Sequence, residues 1–590
     1  MHRFEVWAPL PRKVAVQVGD QVFPMHGPDE HGWWHLDVEK AGAGTDYGYL
    51  IDDDEKCYPD PRSQWQPKGV HEMSRVYDQD SFEWADTPFQ PVPLESGVIY
   101  EIHIGTFTGE GTLDAAIGKL DYLVNLGITH VELMPVASFA GNHGWGYDSV
   151  ALFAVHEPYG GPDALKRFVN AAHGKGLSIL LDVVYNHFGP SGNYTGKFGP
   201  YLVDAHRTPW GGAVNLEDAG SDEVRRFFCD NALMWMREFH VDGLRLDAVH
   251  AFIDRSAIHF LEQLSVEVES LSRSLKRPLA LIAESDLNDP RIVTPRDAGG
   301  LGMDAQWSDD FHHALFTVLS REPVGGYYSD FGDLSHLAKA LEHSFVYDGI
   351  YSKFRNRVHG RPADKVPQSR FLGFIQNHDQ VGNRAIGDRV TEVTGIDRAK
   401  IAAAVVLMSP FIPLLFQGEE WAASTPFQYF ADHDEELARL VSEGRRREFT
   451  AFGWNPESIP DPESRETFTR SKLRWEEVLE AAHAEMHEWY RALIHLRRSL
   501  PSLNDGGPGT TRVSYSEEEK WLSMERGGMA VMFNLGDAEH ELRLPESSQI
   551  VLASPGVRTA KHGVVFLPQD TVVVIESGAT RAVADNAVEL

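Results

Sequence analysis

The stretch Gly243-Leu244-Arg245-Leu246-Asp247 is a short apolar segment that carries an arginine and ends in an aspartate. Buried charges are costly unless they are paired or used, so such a segment must deliver its charged side chains to a shared site. The same pattern, an apolar run that leads into polar side chains, occurs in three further segments: Leu180 to His187, Leu281 to Glu284 and Phe374 to Asp379. These four segments decide how the fold is interpreted.

Short apolar runs alternate with amphipathic helical segments through the middle of the chain. The predicted strands are 98–104, 130–134, 178–184, 243–247, 279–284, 304–307, 371–377 and 413–417, and predicted helices include 113–126, 163–173, 221–239 and 258–271. Eight strand-then-helix units in about 400 residues favour a closed parallel (β/α)8 TIM barrel, with a doubly wound open sheet as the alternative. The fold class is therefore α/β.

The two ends of the chain have a hydrophobic pattern different from that of the middle. Val14, Val16 and Val18 alternate with less apolar residues, which is typical of a half-buried strand. We predict an N-terminal β-sandwich over 1–92, a catalytic barrel over 93–500 with a short insertion at about 185–220, and a C-terminal β-sandwich over 501–590.

Composition narrows the class of protein. The 590 residues are 42% hydrophobic and carry a net charge of −33, which is unfavourable for nucleic acid or membrane partners. The two cysteines, Cys57 and Cys229, have no metal-binding or disulfide spacing, and the first residues lack the apolar run of a signal peptide. We expect a cytoplasmic protein without cofactors, and the oligomeric state stays open.

In a βα barrel the carboxyl ends of all strands meet at one face, so Asp247, Glu284 and Asp379 are predicted to converge. Arg245 and Asp247 lie two residues apart on a strand and point to the same side, where the guanidinium would keep the carboxylate ionised. Partial burial beside other carboxylates would raise the pKa of Glu284. Two carboxyl groups with opposite pKa shifts are the minimum apparatus for cleaving a glycosidic bond.

These segments, in this order, resemble the four signature regions of the α-amylase clan of retaining glycoside hydrolases. The resemblance implies that Asp247 is the nucleophile, Glu284 the general acid/base, and Asp379 the carboxylate that binds and distorts the sugar. It also implies that Arg245, His187 and His378 hold the reacting glucose and that Tyr147, in Gly144-Trp145-Gly146-Tyr147-Asp148, is the platform on which that ring stacks.

Within the clan, the segments from Gln376 to Arg384 and from Gly418 to Gln428 resemble the maltooligosyltrehalose trehalohydrolases. His250 resembles an acceptor-side ligand of these hydrolases, and the segment from Trp307 to His313 is similar to theirs. The resemblance implies a substrate, maltooligosyl trehalose or a related α-1,4-glucan, from which trehalose is released. The predicted substrate-binding residues are Tyr147, Asp148, His187, Arg245, His250, Asp310, His378, Gln380, Asn383 and Arg384.

Other functions stay open at this point. A glycogen branching enzyme or a general α-amylase would share the three carboxylates, and a catalytically inactive glucan-binding protein is the non-enzyme alternative. We expect no metal site, because His312 and His313 are neighbours that point apart on a helix and no full oxygen cage surrounds Asn186. The run Arg445-Arg446-Arg447 is predicted to be a solvated helix face.

Overall fold

The computed structural model describes residues 1–208, 211–321, 325–451, 454–504, 506–507, 509–544, 547–560 and 563–577. At its centre, eight parallel strands close into a barrel: β1 Ile99–Ile102, β2 His130–Leu133, β3 Ser178–Val183, β4 Gly243–Leu246, β5 Ala280–Ala283, β6 Ala305–Trp307, β7 Phe371–Gly373 and β8 Ile412–Phe416. Each strand pairs with its neighbours in the sequence, and β8 pairs with β1. The predicted closed barrel is confirmed, and the open sheet is wrong.

Strand β7 is shorter than predicted because the chain turns early into a helix. The strand ends at Gly373, and the side chain of Asn377 caps the helix His378–Gly382 by accepting a hydrogen bond from the backbone N–H of Gln380. An N-cap asparagine satisfies a helix donor that has no partner within the helix. The turn therefore places Asp379 in the first turn of a helix at the mouth of the barrel, rather than on a strand.

Helices surround the barrel and bury one face each. In Gly161–Gly174, for example, Ala164, Leu165, Phe168 and Val169 are buried at helical spacing. The predicted helix 113–126 is two helices, Leu113–Ile117 and Leu120–Leu126, separated at Gly118. The longer remaining helices are Ser221–Glu238, Phe260–Leu275, Asp309–Leu319, Leu334–His343, Ile396–Met408, Glu435–Ala451 and Ala481–Ser499. None of the described helices is long and apolar enough to cross a membrane.

Sheets flank the barrel on both sides in sequence. Before it, His2–Trp7 pairs with Trp33–Val38, and a second sheet contains Gln21–Pro24, Val14–Val18, Asp46–Ile51, Cys57–Tyr58 and Ser74–Arg75. After it, one sheet contains Arg512–Ser516, Trp521–Arg526, Met529–Asn534, Thr571–Glu576 and Gln549–Ala553, and another contains His540–Arg543, Val564–Leu567 and Arg558–Ala560. The domain boundaries stay predictions, and residues 578–590 of the predicted C-terminal domain lie outside the described residues.

A buried charged cluster ties the segment before the barrel to the barrel itself. The Asp86 carboxylate lies 2.7 Å from His173 Nδ1 and 2.8 Å from His240 Nδ1. The other ring nitrogen of His173 lies 2.8 Å from Asp242, and the ring of Phe89 stacks on His173 at 4.0 Å. Burial alone would lower the pKa of His173, but the two carboxylates raise it. The segment that contains Asp86 and Phe89 is thereby held to the barrel by charge as well as by packing.

Candidate active site

Arg245 is the centre of the charged groups at the barrel mouth. It lies opposite Asp182 of β3 in the parallel register, and its Nη1 is 2.8 Å from Asp182 Oδ2. The same Nη1 is 2.8 Å from Asp247 Oδ1, while Nη2 lies 2.8 Å from Glu284 Oε2. The guanidinium is fully buried, so these charges interact in a medium that screens them weakly. One side chain thus holds Asp247 and Glu284 side by side.

Asp247 follows β4 and continues its alternation, so its carboxylate lies on the same side as Arg245. Its backbone N–H donates to the carbonyl of Val183, and its Oδ2 accepts a hydrogen bond of 2.8 Å from Asn186 Nδ2. Burial alone would raise the pKa of Asp247, but Arg245, His187 and Asn186 favour the charged form and lower it. Asp247 is therefore an ionised carboxylate.

Glu284 follows β5 and has the opposite protonation. Its Oε2 accepts the backbone N–H of Ala248 at 2.8 Å and contacts Arg245, so the proton of its acid form belongs on Oε1. Burial raises the pKa of Glu284 well above its usual range. Arg245 lowers this pKa, whereas the negative charges of Asp247 and Asp379 raise it further. The surroundings of Asp247 and Glu284 therefore shift their pKa values in opposite directions.

Asp379 lies at the edge of a cavity, and its side chain is 37% exposed. Its Oδ1 accepts a hydrogen bond of 3.1 Å from Asn383 and lies 3.6 Å from His378 Nε2. Gln380 lines the same cavity, where its side-chain oxygen accepts a hydrogen bond of 2.8 Å from the Tyr328 hydroxyl. The predicted residues Asp379, Gln380 and Asn383 are thus brought together around one space.

Tyr147 and the two predicted histidines lie beside Arg245. The Tyr147 hydroxyl donates to Asp182 and lies 2.7 Å from His378 Nε2, and its ring stacks on that of His378 at 5.0 Å. His187 Nε2 lies 3.0 Å from the backbone carbonyl of Tyr147. These contacts fix the tyrosine ring in one orientation next to Asp247.

A cavity of about 260 Å³ opens beside Glu284 and Asp379. One wall is a hairpin formed by Ile350–Ser352 and Arg357–His359. The hairpin is anchored by an ion pair of 3.0 Å between Arg355 and Asp286 and by the backbone N–H of Phe354, which donates to Asp330 at 3.0 Å. The cavity is further lined by Asn288, Asp309, Asp310, His313, Tyr327, Phe331, Tyr347, Ser352, Asn377, Gln380 and Asn383.

Asp310 lines this cavity but uses its carboxylate to hold a loop. Its Oδ2 accepts hydrogen bonds from the backbone N–H groups of Val346 and Tyr347, at 2.7 and 2.8 Å, and from Asn288 at 2.8 Å. Its neighbour Asp309 is less buried, and burial beside other carboxylates raises its pKa to about 7. Both carboxylates line the cavity, and the substrate-binding role of Asp310 stays a prediction.

Three predicted binding residues lie outside both the described lining of this cavity and the group of side chains around Arg245. Arg384 pairs with Asp388, four residues further along the chain, at 2.9 and 2.7 Å. Asp148 lies 3.2 Å from His433. Burial alone would lower the pKa of His433, but Asp148 and Glu463 raise it to about 10. His250 is exposed on the short turn Val249–Ala251. The roles predicted for these residues therefore have no support from their contacts.

The prediction that 445–447 is a solvated helix face is wrong for its first residue. Arg445 donates to the backbone carbonyls of Gly382 and Arg384, at 2.9 and 3.2 Å, and packs over the rings of Tyr429 and Phe449. The guanidinium supports the C-terminal end of the helix that carries Asp379, where carbonyls lack partners within the helix. Arg446 does behave as predicted and pairs with Asp461.

Sequence reasoning missed several residues of the site. Glu101 interrupts the apolar run of β1 just as Arg245 interrupts β4, so the same signal could have identified it. Tyr327, Phe354 and Arg355 come from segments without an apolar period, and no pattern indicated that they would meet Glu284. Among the described residues, no three His, Cys, Asp or Glu side chains are arranged to hold a metal ion.

Comparisons with known proteins agree with this geometry. The family described as alpha amylase, catalytic domain, matches residues 75–199. A malto-oligosyltrehalose trehalohydrolase from Rhizobium sp. (strain M-11) is 50% identical over 564 residues, which are 94% of this chain and 94% of that protein. A protein of the same name from Mycobacterium tuberculosis (strain CDC 1551 / Oshkosh) is 50% identical over 559 residues, covering 94% and 95%.

Among solved structures, a protein from Salmonella typhimurium assigned to the alpha amylases superposes with a TM-score of 0.90 at 38% identity. The alignment covers 98% of this chain and 97% of that one. The barrel and both flanking sheet regions are therefore shared with that protein.

Proposed function

The chain belongs to the malto-oligosyltrehalose trehalohydrolases within the alpha amylase family, and on that premise we propose that its cleft hydrolyses maltooligosyl trehalose and releases trehalose. The bond cleaved is the α-1,4-glucosidic bond next to the terminal trehalose. The observation that carries the proposal is that Arg245 lies 2.8 Å from the carboxyl groups of both Asp247 and Glu284, whose surroundings shift their pKa values in opposite directions.

The chemistry follows from this pair. Asp247 attacks the anomeric carbon of the glucose on the glucan side, while Glu284 donates its proton from Oε1 to the leaving oxygen, so that the glycosidic bond breaks as the glycosyl-enzyme bond forms. Water then attacks the same carbon and gives its proton to the Glu284 carboxylate, which frees Asp247. Two inversions give net retention, the outcome of enzymes whose carboxyl groups lie about 5–5.5 Å apart.

The surrounding residues suit the reacting glucose. Asp379 is exposed to the cleft and can accept hydrogen bonds from sugar hydroxyls, which would favour the flattened ring of an oxocarbenium-like transition state. Tyr147 presents a fixed aromatic ring, which His378 and His187 hold through its hydroxyl and its backbone carbonyl. We assign these side chains to binding the glucose that Asp247 attacks.

The cavity beside Glu284 suits the leaving disaccharide. It adjoins the proton donor and contains hydrogen-bonding carboxylates, including Asp286 and Asp309, together with the rings of Tyr327 and Phe354. Such a mixture of polar groups and apolar rings matches a sugar, which has hydroxyl edges and apolar faces. We assign this cavity to the trehalose end of the substrate.

The experiment that tests the function compares maltopentaose with its trehalose-capped counterpart at equal concentration. We expect the capped substrate to be cleaved much faster, with trehalose as the disaccharide product identified by chromatography. Equal rates on both substrates, with maltose as product, would contradict the proposal and indicate a general amylase. Transfer of the glycosyl unit to another glucan, without new reducing ends, would indicate a branching enzyme.

A further inference from the structure

The carboxylate of Glu101 lies beneath the cleft and is bonded twice to one residue of the site. Glu101 is the third residue of β1 and is 1% exposed. Its Oε2 accepts the backbone N–H of His378 at 2.9 Å, and its Oε1 accepts the hydrogen of His378 Nδ1. Glu101 is closed off from solvent, so any effect on a substrate must pass through His378.

The hydrogen bonds around His378 require both of its ring nitrogens to carry a proton. Nδ1 faces the Glu101 carboxylate and therefore donates. Nε2 lies 2.7 Å from the Tyr147 hydroxyl, whose own hydrogen goes to the carboxylate of Asp182, so the tyrosine oxygen accepts from Nε2. A histidine that donates from both nitrogens is an imidazolium.

Charged and titratable groups face His378 from several elements. They are Glu101 on β1, Glu132 on β2, Asp182 on β3, Arg245 on β4, Asp379 on its own helix, and Tyr147 and His103 in loops. Burial and Arg245 lower the pKa of His378, but Glu101 and Asp379 raise it to about 9. Glu101 is the only one of these groups that bonds to His378 through two atoms.

Glu132 provides a contrast at the same depth. It lies directly opposite Glu101 in the parallel register of β1 and β2 and is fully buried. Neither of its carboxyl oxygens has a hydrogen-bond partner among the described residues, and burial together with Glu101 raises its pKa well above the usual range. Burial thus favours the neutral form of Glu132, and Glu101 is the glutamate that accepts two hydrogen bonds from His378.

We propose that Glu101 is a positioning residue that keeps His378 charged and fixed, so that Nε2–H holds Tyr147 against the reacting glucose. The proposal rests on the proposed function for the identity of that sugar. It does not depend on the trehalose end, because His378 and Tyr147 lie beside Asp247 rather than in the cavity assigned to the leaving disaccharide.

The test is the pH dependence of kcat for Glu101→Gln, measured on the substrate that the wild-type enzyme cleaves fastest. Glutamine keeps the shape but removes the charge, so His378 loses its proton at a lower pH. We expect kcat to fall about 100-fold at neutral pH, as for a misplaced reactive group, and the alkaline limb of the profile to move to lower pH. Glu101→Asp keeps the charge and should return the limb towards its wild-type position.

Two further variants make the result specific. Glu132→Gln replaces a neutral side chain by a neutral one and should leave the pH profile unchanged. In a His378→Asn background, Glu101→Gln should lower kcat by less than threefold, since the group through which it acts is already gone. A wild-type profile for Glu101→Gln, or an undiminished loss in the His378→Asn background, would overturn the proposal. If the wild-type enzyme itself releases no trehalose, the proposed function is refuted instead.

Discussion

The Arg245→Met variant should lose both stability and catalysis. The guanidinium is fully buried and contacts the carboxyl groups of Asp182, Asp247 and Glu284. Methionine is of similar length but uncharged, so these groups lose their shared positive partner. Removing one member of a buried ion pair typically costs about 3–5 kcal/mol, and we expect a loss of stability of this size at pH 7.

The catalytic loss has a separate cause. Without Arg245, the pKa of Asp247 is no longer held down, and the two carboxyl groups compete for the same proton. The division between ionised nucleophile and protonated acid disappears. Because general acid catalysis contributes about 10²–10⁴-fold, kcat/KM should fall by at least about 100-fold.

The stability deficit should also depend on pH in a defined direction. In the variant, burial without a cation raises the folded-state pKa of Asp182 and Asp247 above the unfolded value. Groups of this kind favour the folded state at low pH and disfavour it as pH rises through their folded pKa. The difference between wild type and variant, measured by urea denaturation, should therefore be largest at neutral pH and shrink as pH falls towards 4.

A matched control is Arg225→Met. Arg225 is also buried and pairs with Asp254 at 2.6 Å, but it lies on helix Ser221–Glu238 away from the cleft. This variant should lose stability of similar size and keep the wild-type pH profile of kcat/KM. An Arg245→Met enzyme with wild-type kcat/KM, or with a pH-independent stability loss below about 1 kcal/mol, would refute the reasoning.

Three further predictions follow from the site and its supports. Asp247→Asn should lower kcat by about 10⁴–10⁶-fold in single-turnover assays; a loss under tenfold would remove the nucleophile assignment. Wild type should be more stable than His433→Gln, and the difference should be complete below pH 6.5, the ordinary histidine pKa. It should disappear as pH rises through about 10, because the folded-state pKa of His433 is raised to that value. A difference in urea denaturation that stays constant with pH would contradict this. Gly382→Ala should destabilise by about 1–3 kcal/mol, since its Cβ would lie 2.0 Å from the ring of Trp145, whereas Gly444→Ala, in open space on a helix, should stabilise by up to about 1 kcal/mol; equal denaturation midpoints would show that the ring moves freely.

The barrel could be predicted because its strands carry a strong and regular signal. Each predicted strand overlaps an observed one, since short apolar runs in a parallel sheet are buried on both faces. The limits of the elements were less predictable. The predicted β7 is too long because Phe374 and Ile375 continue the apolar run of the strand, while the cap formed by Asn377 acts only in three dimensions.

The active site, like the fold, could be predicted only in part. Asp247, Glu284 and Asp379 could be placed together because strand ends meet at one face, whatever their separation in the sequence. Arg384 and Asp310 were predicted as ligands, but their charges are taken up by Asp388 and by the loop at Tyr347. Partners of this kind depend on how loops fold back, which local sequence does not encode, and the hairpin that carries Phe354 and Arg355 was missed for the same reason.

The cluster formed by Asp86, His173 and Asp242 has a consequence for any attempt to express the barrel alone. A chain that starts at residue 93 would lack the carboxylate that faces His173 Nδ1 and the ring of Phe89 that covers it. The remaining imidazole would lie at a newly wetted surface, next to the Asp242 side chain that also accepts the N–H of Ile179 at the start of β3. Truncation at the predicted domain boundary would therefore weaken a central strand, because the segment before residue 93 stabilises the barrel.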